Sequence, residues 1–456
     1  MGRGNALGIG RAQACVALAL AMWAWSPPLP ATGFFLNQQS VQGLGRTDAG
    51  NAVAANDAST IYFNPAGLPA LWRDGAAHET NTLFAFGAHL IIPRSDHLNT
   101  GSTAATFATG GAPVQYAGPN ASNPTDPTAV PNLFVAHRLA DGEGFLGLGI
   151  TSPFGLAAKF DNNWFGRYDS IETSLRTVNV SAVGAYQLTP TFSIGGGLDA
   201  QYARTKSSSA IPNPLVAGGP TAATDALTQT SGSTWSPGFN AGVLWQADDA
   251  TRFGLHYRSG MRHKFDAITV TSGLTGALAA GNGAVGSSVT LNLPAVVTAG
   301  ASRRLNDKLT LLGEIDWYGW NTLNELRLHF DNGTADAVRT TNYRNTFAYA
   351  LGAEYAQSPE LTLRGGVQFD YTPTVDAFRD TTVPDANRFI LAVGASYRVS
   401  KAAYLDFAAG HVKFRTAAIS VTQNFFGGTA LASSATVNDV VTPRIDTLSM
   451  QLRYAF

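Results

Sequence analysis

From about residue 82 to residue 456 the chain is built of short runs that alternate apolar and polar side chains. A period of two is the signature of extended strands with one apolar face, because successive side chains point to opposite sides. In 177–188, Val178, Val180, Ala182, Tyr186 and Leu188 share one face, and Thr177, Asn179, Ser181 and Gln187 share the other. In 361–370, Leu361, Leu363, Val367 and Phe369 oppose Thr362, Arg364, Gln368 and Asp370. In 309–317, Leu309, Leu311, Ile315 and Trp317 oppose Thr310, Glu314 and Asp316. Fourteen such runs are expected, near 82–92, 131–138, 143–151, 173–188, 191–206, 235–247, 250–268, 289–304, 307–320, 345–356, 359–370, 388–399, 402–414 and 445–456.

The connections alternate between tight and long. Thr189-Pro190, Asp248-Asp249, Asn306-Asp307, Ser358-Pro359 and Ser400-Lys401 are tight and read as periplasmic turns. Between them lie 93–130, 152–172, 207–234, 269–288, 321–344, 371–387 and 415–444, which read as extracellular loops. A soluble sandwich would direct its apolar faces into one core. Here the polar faces carry Glu314, Asp316, Arg364 and Asp370, which implies a wet interior and an apolar exterior. Charged residues make up only 13%, against roughly 25% in soluble domains. Past residue 31 no apolar run approaches the ~20 residues of a spanning helix. The expected fold is therefore all-β, a 14-stranded antiparallel transmembrane β-barrel.

Two stretches fall outside the alternation. Residues 1–31 have the make-up of a signal peptide: Arg3 and Arg11, an apolar stretch from Ala12 to Trp25, then Pro27-Pro28 and a small residue at Ala31. Cys15, the one cysteine, lies inside it, so the mature chain is expected to have no disulfide, thiolate metal site or cysteine nucleophile. Residues 32–75 are rich in Gly, Ala and Asn with neither period, and are expected to plug the lumen of a barrel formed by 76–456.

Enzyme chemistry finds no foothold. H-E-x-x-H, G-x-S-x-G and the P-loop are absent. Gly142-Glu143-Gly144-Phe145-Leu146-Gly147 fits G-x-G-x-x-G but continues into an alternating strand, with no helix to hold a pyrophosphate. His256 sits on a polar strand face beside Arg258, and Glu314 and Asp316 suit a lumenal network better than acid–base work. No cofactor and no metal are expected. The net charge of −1 gives no electrostatic case for nucleic acid.

The last run places Leu448, Met450, Leu452, Tyr454 and Phe456 on one face. A terminal aromatic on such a strand resembles the signal read by the outer-membrane barrel assembly machinery. Several further blocks resemble the FadL-type long-chain fatty acid and hydrocarbon transporters of Gram-negative outer membranes. They are Gly33-Phe34, Gly43-Leu44-Gly45-Arg46, Asn64-Pro65-Ala66-Gly67-Leu68, Thr151-Ser152-Pro153-Phe154-Gly155-Leu156, Trp164-Phe165-Gly166-Arg167-Tyr168, Gly254 to Ser259, Leu291-Asn292-Leu293-Pro294, and Arg364 through Pro384-Asp385 to Arg388. The blocks cover essentially the whole mature chain.

The resemblance implies a hatch that includes Gly33, Phe34, Asn64, Pro65 and Ala66, and a kink in the third strand at Pro153 and Gly155 that opens sideways to the membrane. Pro153 has no N–H for a ladder and Gly155 has no side chain, so the pair suits an inward kink. Hydrophobic ligands would be captured on loop residues Phe154, Leu156, Phe160, Trp164, Phe165 and Leu215, then held inside, where a cation pairs with a carboxylate. The interior cation candidates are Arg339, which aligns with an interior lysine of the family, and Arg204 and Lys206, which lie near Ser209, where the family has an arginine. Asp385 and Arg388 are expected to tie a loop to its strand. Implied partners are a long-chain fatty acid or other hydrophobic small molecule, outer-membrane lipid and lipopolysaccharide, and the assembly machinery, with the chain a monomer. A general porin and a barrel lipid hydrolase are the competing functions.

Overall fold

The computed structural model describes residues 33–73, 80–140 and 142–456; the signal-peptide segment, Cys15 and the expected boundary near residue 75 lie outside them. Fourteen strand positions follow one another around the wall. The first to sixth are Thr82–Asn99, Thr128–Arg138, Gly144–Thr151 with Gly155–Lys159, Glu172–Thr189, Phe192–Ile211 and Ala226–Gln246. The seventh and eighth are each interrupted once, Thr251–Arg258 with Met261–Ser272 and Gly283–Leu293 with Val296–Arg304. Then come Leu309–Tyr318, Thr346–Ala356, Leu361–Asp370, Arg388–Arg398, Ala403–Phe414 with Ala417–Phe425, and Ser433–Ala455. Each pairs antiparallel with its neighbours, and the last returns to the first with Phe84 opposite Tyr454. The sheet is closed, so its backbone groups are paired within the wall, as a lipid environment demands.

The alternation points its apolar face outward. Leu198 (71% exposed), Leu351 (68%) and Val393 (63%) stand on the outer surface, while Asn179, Ser181 and Asp199 hydrogen-bond to one another inside. On the sixth strand Trp245 and Trp235 are both exposed on the outer face. The ten-residue step between them, at ~3.3 Å per residue and a tilt of ~40°, spans roughly 25 Å, the height of an apolar band between aromatic girdles.

All fourteen expected strands are present, but several run far into segments expected to be loops. Residues 93–99, 207–211, 226–234, 269–272, 283–288, 417–425 and 433–444 are strand. In these stretches the outer face is polar as well, as in Thr228-Gln229-Thr230-Ser231-Gly232-Ser233, so the alternation fades while the ladder continues. A small hairpin, Glu325–Phe330 with Ala337–Thr340, lies between the ninth and tenth strands in sequence and pairs with the eighth through Ser287–Val289.

Residues 33–73 fill the lumen as a chain of short helical turns: Val41–Leu44, Asn51–Ala54, Thr60–Phe63, Pro65–Gly67 and Leu68–Arg73. None is long enough to be stable alone. Each rests on the wall.

Candidate functional site

The wall is broken beside the third strand. The ladder between the second and third strands ends at Leu133 opposite Ile150, and the second strand runs on to Thr128 with the first as ladder partner. The third strand stops at Thr151 opposite Asn179 and resumes at Gly155 opposite Arg176. Four residue steps on the third strand thus meet three on the fourth, a one-residue bulge that bends the chain inward.

A bend would normally strand backbone groups, and such groups must find partners in a membrane protein. The hatch supplies them. Leu36 N–H donates to the Pro153 carbonyl (2.8 Å), and Gly155 N–H donates to the Phe34 carbonyl (3.0 Å). Gln39 serves both groups of Ser152, its Nε2 donating to the carbonyl (2.9 Å) and its Oε1 accepting from the N–H (3.1 Å). Thr177 does the same for Phe154, its Oγ1 donating to the carbonyl (2.7 Å) and accepting from the N–H (3.0 Å). Phe35 lies opposite Phe154 as an antiparallel bridge. The first hatch residues therefore form a short inner strand that replaces the second strand as the partner of the kink.

Aromatic packing seals this contact. The Phe35 and Phe154 rings meet edge-on at 5.1 Å, as do Phe34 and Trp320 at 4.9 Å, and Phe35 and Tyr318 meet at a tilt at 5.4 Å. Gly33 N–H donates to Asp385 (3.0 Å), whose carboxylate also meets Arg388 at 3.1 Å. Arg388 reaches Asp370 at 2.8 Å, which links the hatch end, the loop and the eleventh strand.

Further anchors hold the rest of the hatch. Arg46 pairs with Glu354 (2.7 Å), which Arg364 also contacts (2.9 Å) while donating to Gln42 (3.1 Å). Arg258 pairs with Asp199 (2.7 Å), donates to the Tyr62 carbonyl (2.8 Å) and stacks over the Tyr62 ring. Glu314, on the ninth strand, accepts from Ala52 N–H (2.9 Å). Asn64 is fully buried; its Oδ1 caps Ala66 N–H (3.1 Å), and its Nδ2 donates to Ala52 (2.9 Å) and to the wall carbonyl of Val243 (3.0 Å). The wall is cut away to let the hatch in. A Cβ at Gly242 would collide with the Asn64 side chain, and one at Gly366 with the Arg46 carbonyl.

Above the kink lies a cleft of about 50 Å³ bordered by Gly33, Leu156, Phe160, Val383, Phe414 and Ile445. Arg94 and Arg444 edge it from strands whose alternation turns their side chains outward. Below the kink, a much smaller pocket of about 10 Å³ is lined by Phe35, Pro153, Phe154, Arg258 and Met261. The Phe34–Phe35 inner strand and the Phe154 ring separate the two.

The remaining expected residues scatter. Arg339 lies in the small hairpin and pairs with Asp169 (2.9 Å) and Asp380 (2.9 Å). Burial opposes its charge, but those two carboxylates outweigh it and hold the guanidinium above its ordinary value. Arg204 and Lys206 are not interior. They share the parity of Leu198 and face outward, and Lys206 pairs with Glu172 at 2.7 Å. The loop residues do not form an open groove either: Phe154, Leu156, Phe160, Trp164 and Phe165 are buried, with Phe160 and Trp164 stacked at 3.6 Å, and only Leu215 is exposed. Trp320, Tyr318 and Gln39 were not anticipated, since nothing in local spacing points aromatics at the end of the ninth strand and just past it toward residues 34 and 35.

A closed fourteen-stranded barrel with an apolar belt, a lumen-filling hatch and one kinked strand defines an outer-membrane transport protein for hydrophobic compounds, not an enzyme. The chain matches, over residues 20–456, the family described as Outer membrane protein transport protein (OMPP1/FadL/TodX), and it belongs to that family. It is 29% identical over 421 residues to a long-chain fatty acid transport protein of Escherichia coli O6:H1, covering 87% of this chain and 90% of that one. It is 26% identical over 461 residues to outer membrane protein P1 of Haemophilus influenzae, covering 96% and 98%. In fold it is similar to a FadL homologue of Pseudomonas aeruginosa, with a TM-score of 0.80 at 22% identity over 93% of this chain and 100% of that one. It is also similar to the Pseudomonas putida toluene transporter TodX, with a TM-score of 0.63 at 14% identity over 93% and 100%.

Proposed function

We propose that this chain takes up long-chain fatty acids across the outer membrane and releases them sideways into the bilayer at the break in the third strand. The observation that carries this reading is the shared ladder between hatch residues 34–36 and kink residues 153–155. While it is made, Phe34, Phe35 and Phe154 block the way from the upper cleft to the lower cavity. When it parts, the two cavities join beside a wall section that has no second-strand ladder to bar it. An acyl chain entering the apolar cleft gains ~0.8 kcal/mol per buried CH₂, enough to compete with the Phe34–Phe35 contacts.

Neutral aliphatic or aromatic hydrocarbons by the same route are the second reading. It is favoured by the state of the cations: Arg339 is engaged by two carboxylates, and Arg204 and Lys206 face outward. Uptake of oleate and of dodecane by cells lacking their own transporter tests both. Oleate uptake by wild type that is lost in Gly155→Arg, with the barrel still assembled, supports lateral release. Dodecane uptake without oleate uptake selects the second reading. Unchanged uptake in Gly155→Arg removes the kink from the route.

A further inference from the structure

On the outer face of the wall, cations stand directly opposite one another. Arg444 on the fourteenth strand lies across from Arg94 on the first and from Lys413 on the thirteenth. All three are exposed and share a face with Leu90, Leu448 and Phe407, while Ile91, Val412 and Ile445 between them pack into the lumen. Like charges in direct cross-strand register destabilise a sheet. Among the described residues no ion pair engages any of the three. The acids on that face are Asp446, one step below and held by His411 at 2.6 Å, and Asp96, one step above Arg94.

The row sits at a fixed height. Arg94, Arg444 and Lys413 are each ten residues up from Phe84, Tyr454 and Ala403, which face one another near the opposite rim. Ten residues is also the step from Trp245 to Trp235, so the row lies level with the outer aromatic girdle. A second like-charge pair repeats the pattern across the kink. Arg176 lies opposite Arg204, exposed at the same face, and also opposite Gly155. The Tyr202 and Trp235 rings meet just below, 5.4 Å apart.

We propose that these two groups bind the lipid A phosphates of lipopolysaccharide, which would clasp the outer leaflet on both sides of the third-strand break. The occupant must bring phosphates to headgroup height and rest acyl chains on Leu90 and Leu448 below, which a phosphorylated glycolipid does and a soluble anion does not. Arginine suits phosphate through its planar, bidentate fork.

Native mass spectrometry of the full chain in phosphatidylcholine nanodiscs, with bisphosphorylated lipid A, dephosphorylated lipid A and inorganic phosphate as probes, tests this. Wild type should hold bisphosphorylated lipid A, with the triple change Arg94→Gln, Lys413→Gln and Arg444→Gln weakening it about a hundredfold. Arg176→Gln with Arg204→Gln should weaken it less, and Arg94→Lys with Arg444→Lys should keep it within several-fold. Excess inorganic phosphate should not displace it. Equal retention of dephosphorylated lipid A, displacement by inorganic phosphate, or unchanged retention by a triple variant with an intact heat-modifiable barrel would each overturn the proposal. So would a triple variant that keeps lipid A but loses oleate binding, which would make the row a carboxylate site at the cleft rim.

Discussion

The wall and the hatch are held by different physics. Away from the interruptions beside the third and seventh strands, each wall strand shares a long ladder with two neighbours, so losing one side chain leaves the backbone bonds around it in place. The hatch has almost no such redundancy. Its turns are three to six residues long, and it meets the wall through side chains: polar anchors that include Arg46, Gln39, Asn64, Arg258 and Gly33, and apolar packing such as Ile61, Leu68 and Trp72 against Phe134, Phe145 and Val183. A region held by side-chain contacts can shift against its surroundings without breaking a ladder, whereas a wall strand cannot. The kink is where the two regimes meet, because there the hatch contributes the ladder itself.

That contrast can be broken at the anchors. Arg388→Ala leaves Asp370 and Asp385 buried without their cation and should destabilise the hatch end by about 3–5 kcal/mol. Hydrogen exchange at Phe34–Gln39 should accelerate accordingly, with wall amides unchanged. Asn64→Ala removes three hydrogen bonds from a buried site, for about 2 kcal/mol. It should raise ion conductance in planar bilayers as the hatch loosens. Leu198→Ala, on the lipid face, should leave both hatch exchange and conductance at the wild-type level. If Leu198→Ala loosened the hatch as much as Asn64→Ala, the separation of wall from hatch would be wrong.

The wall was legible in the sequence because lipid on one side and a polar lumen on the other impose a strong period of two. Val178 to Leu188 shows it plainly, and its expected faces are the observed ones. Above the membrane the constraint lapses, which is why 226–234 and 433–444 read as loops although they are strand. The outward face of Arg204 and Lys206 was readable: counting by twos from Leu198 puts both outside, whereas nearness to Ser209 in the sequence says nothing about which face they take. The hatch–kink ladder was not readable. It joins Phe35 to Phe154 through backbone groups, and no side-chain pattern encodes which carbonyl a distant N–H will reach. Pro153 and Gly155 suggested a break; the partner that completes it came only from three dimensions.

The ladder can be locked directly. Phe35 and Phe154 are directly opposed, at a separation typical of cross-strand pairs and close to what a disulfide spans. With Cys15, the one cysteine of the sequence, replaced by Ser, the double change Phe35→Cys and Phe154→Cys places a reversible bolt between hatch and kink. Oleate uptake should fall to the level of cells without the protein when the pair is oxidised, and return on reduction. Uptake that continues at the reduced rate while gels show the chain fully cross-linked would mean that ligands do not pass through the parted ladder.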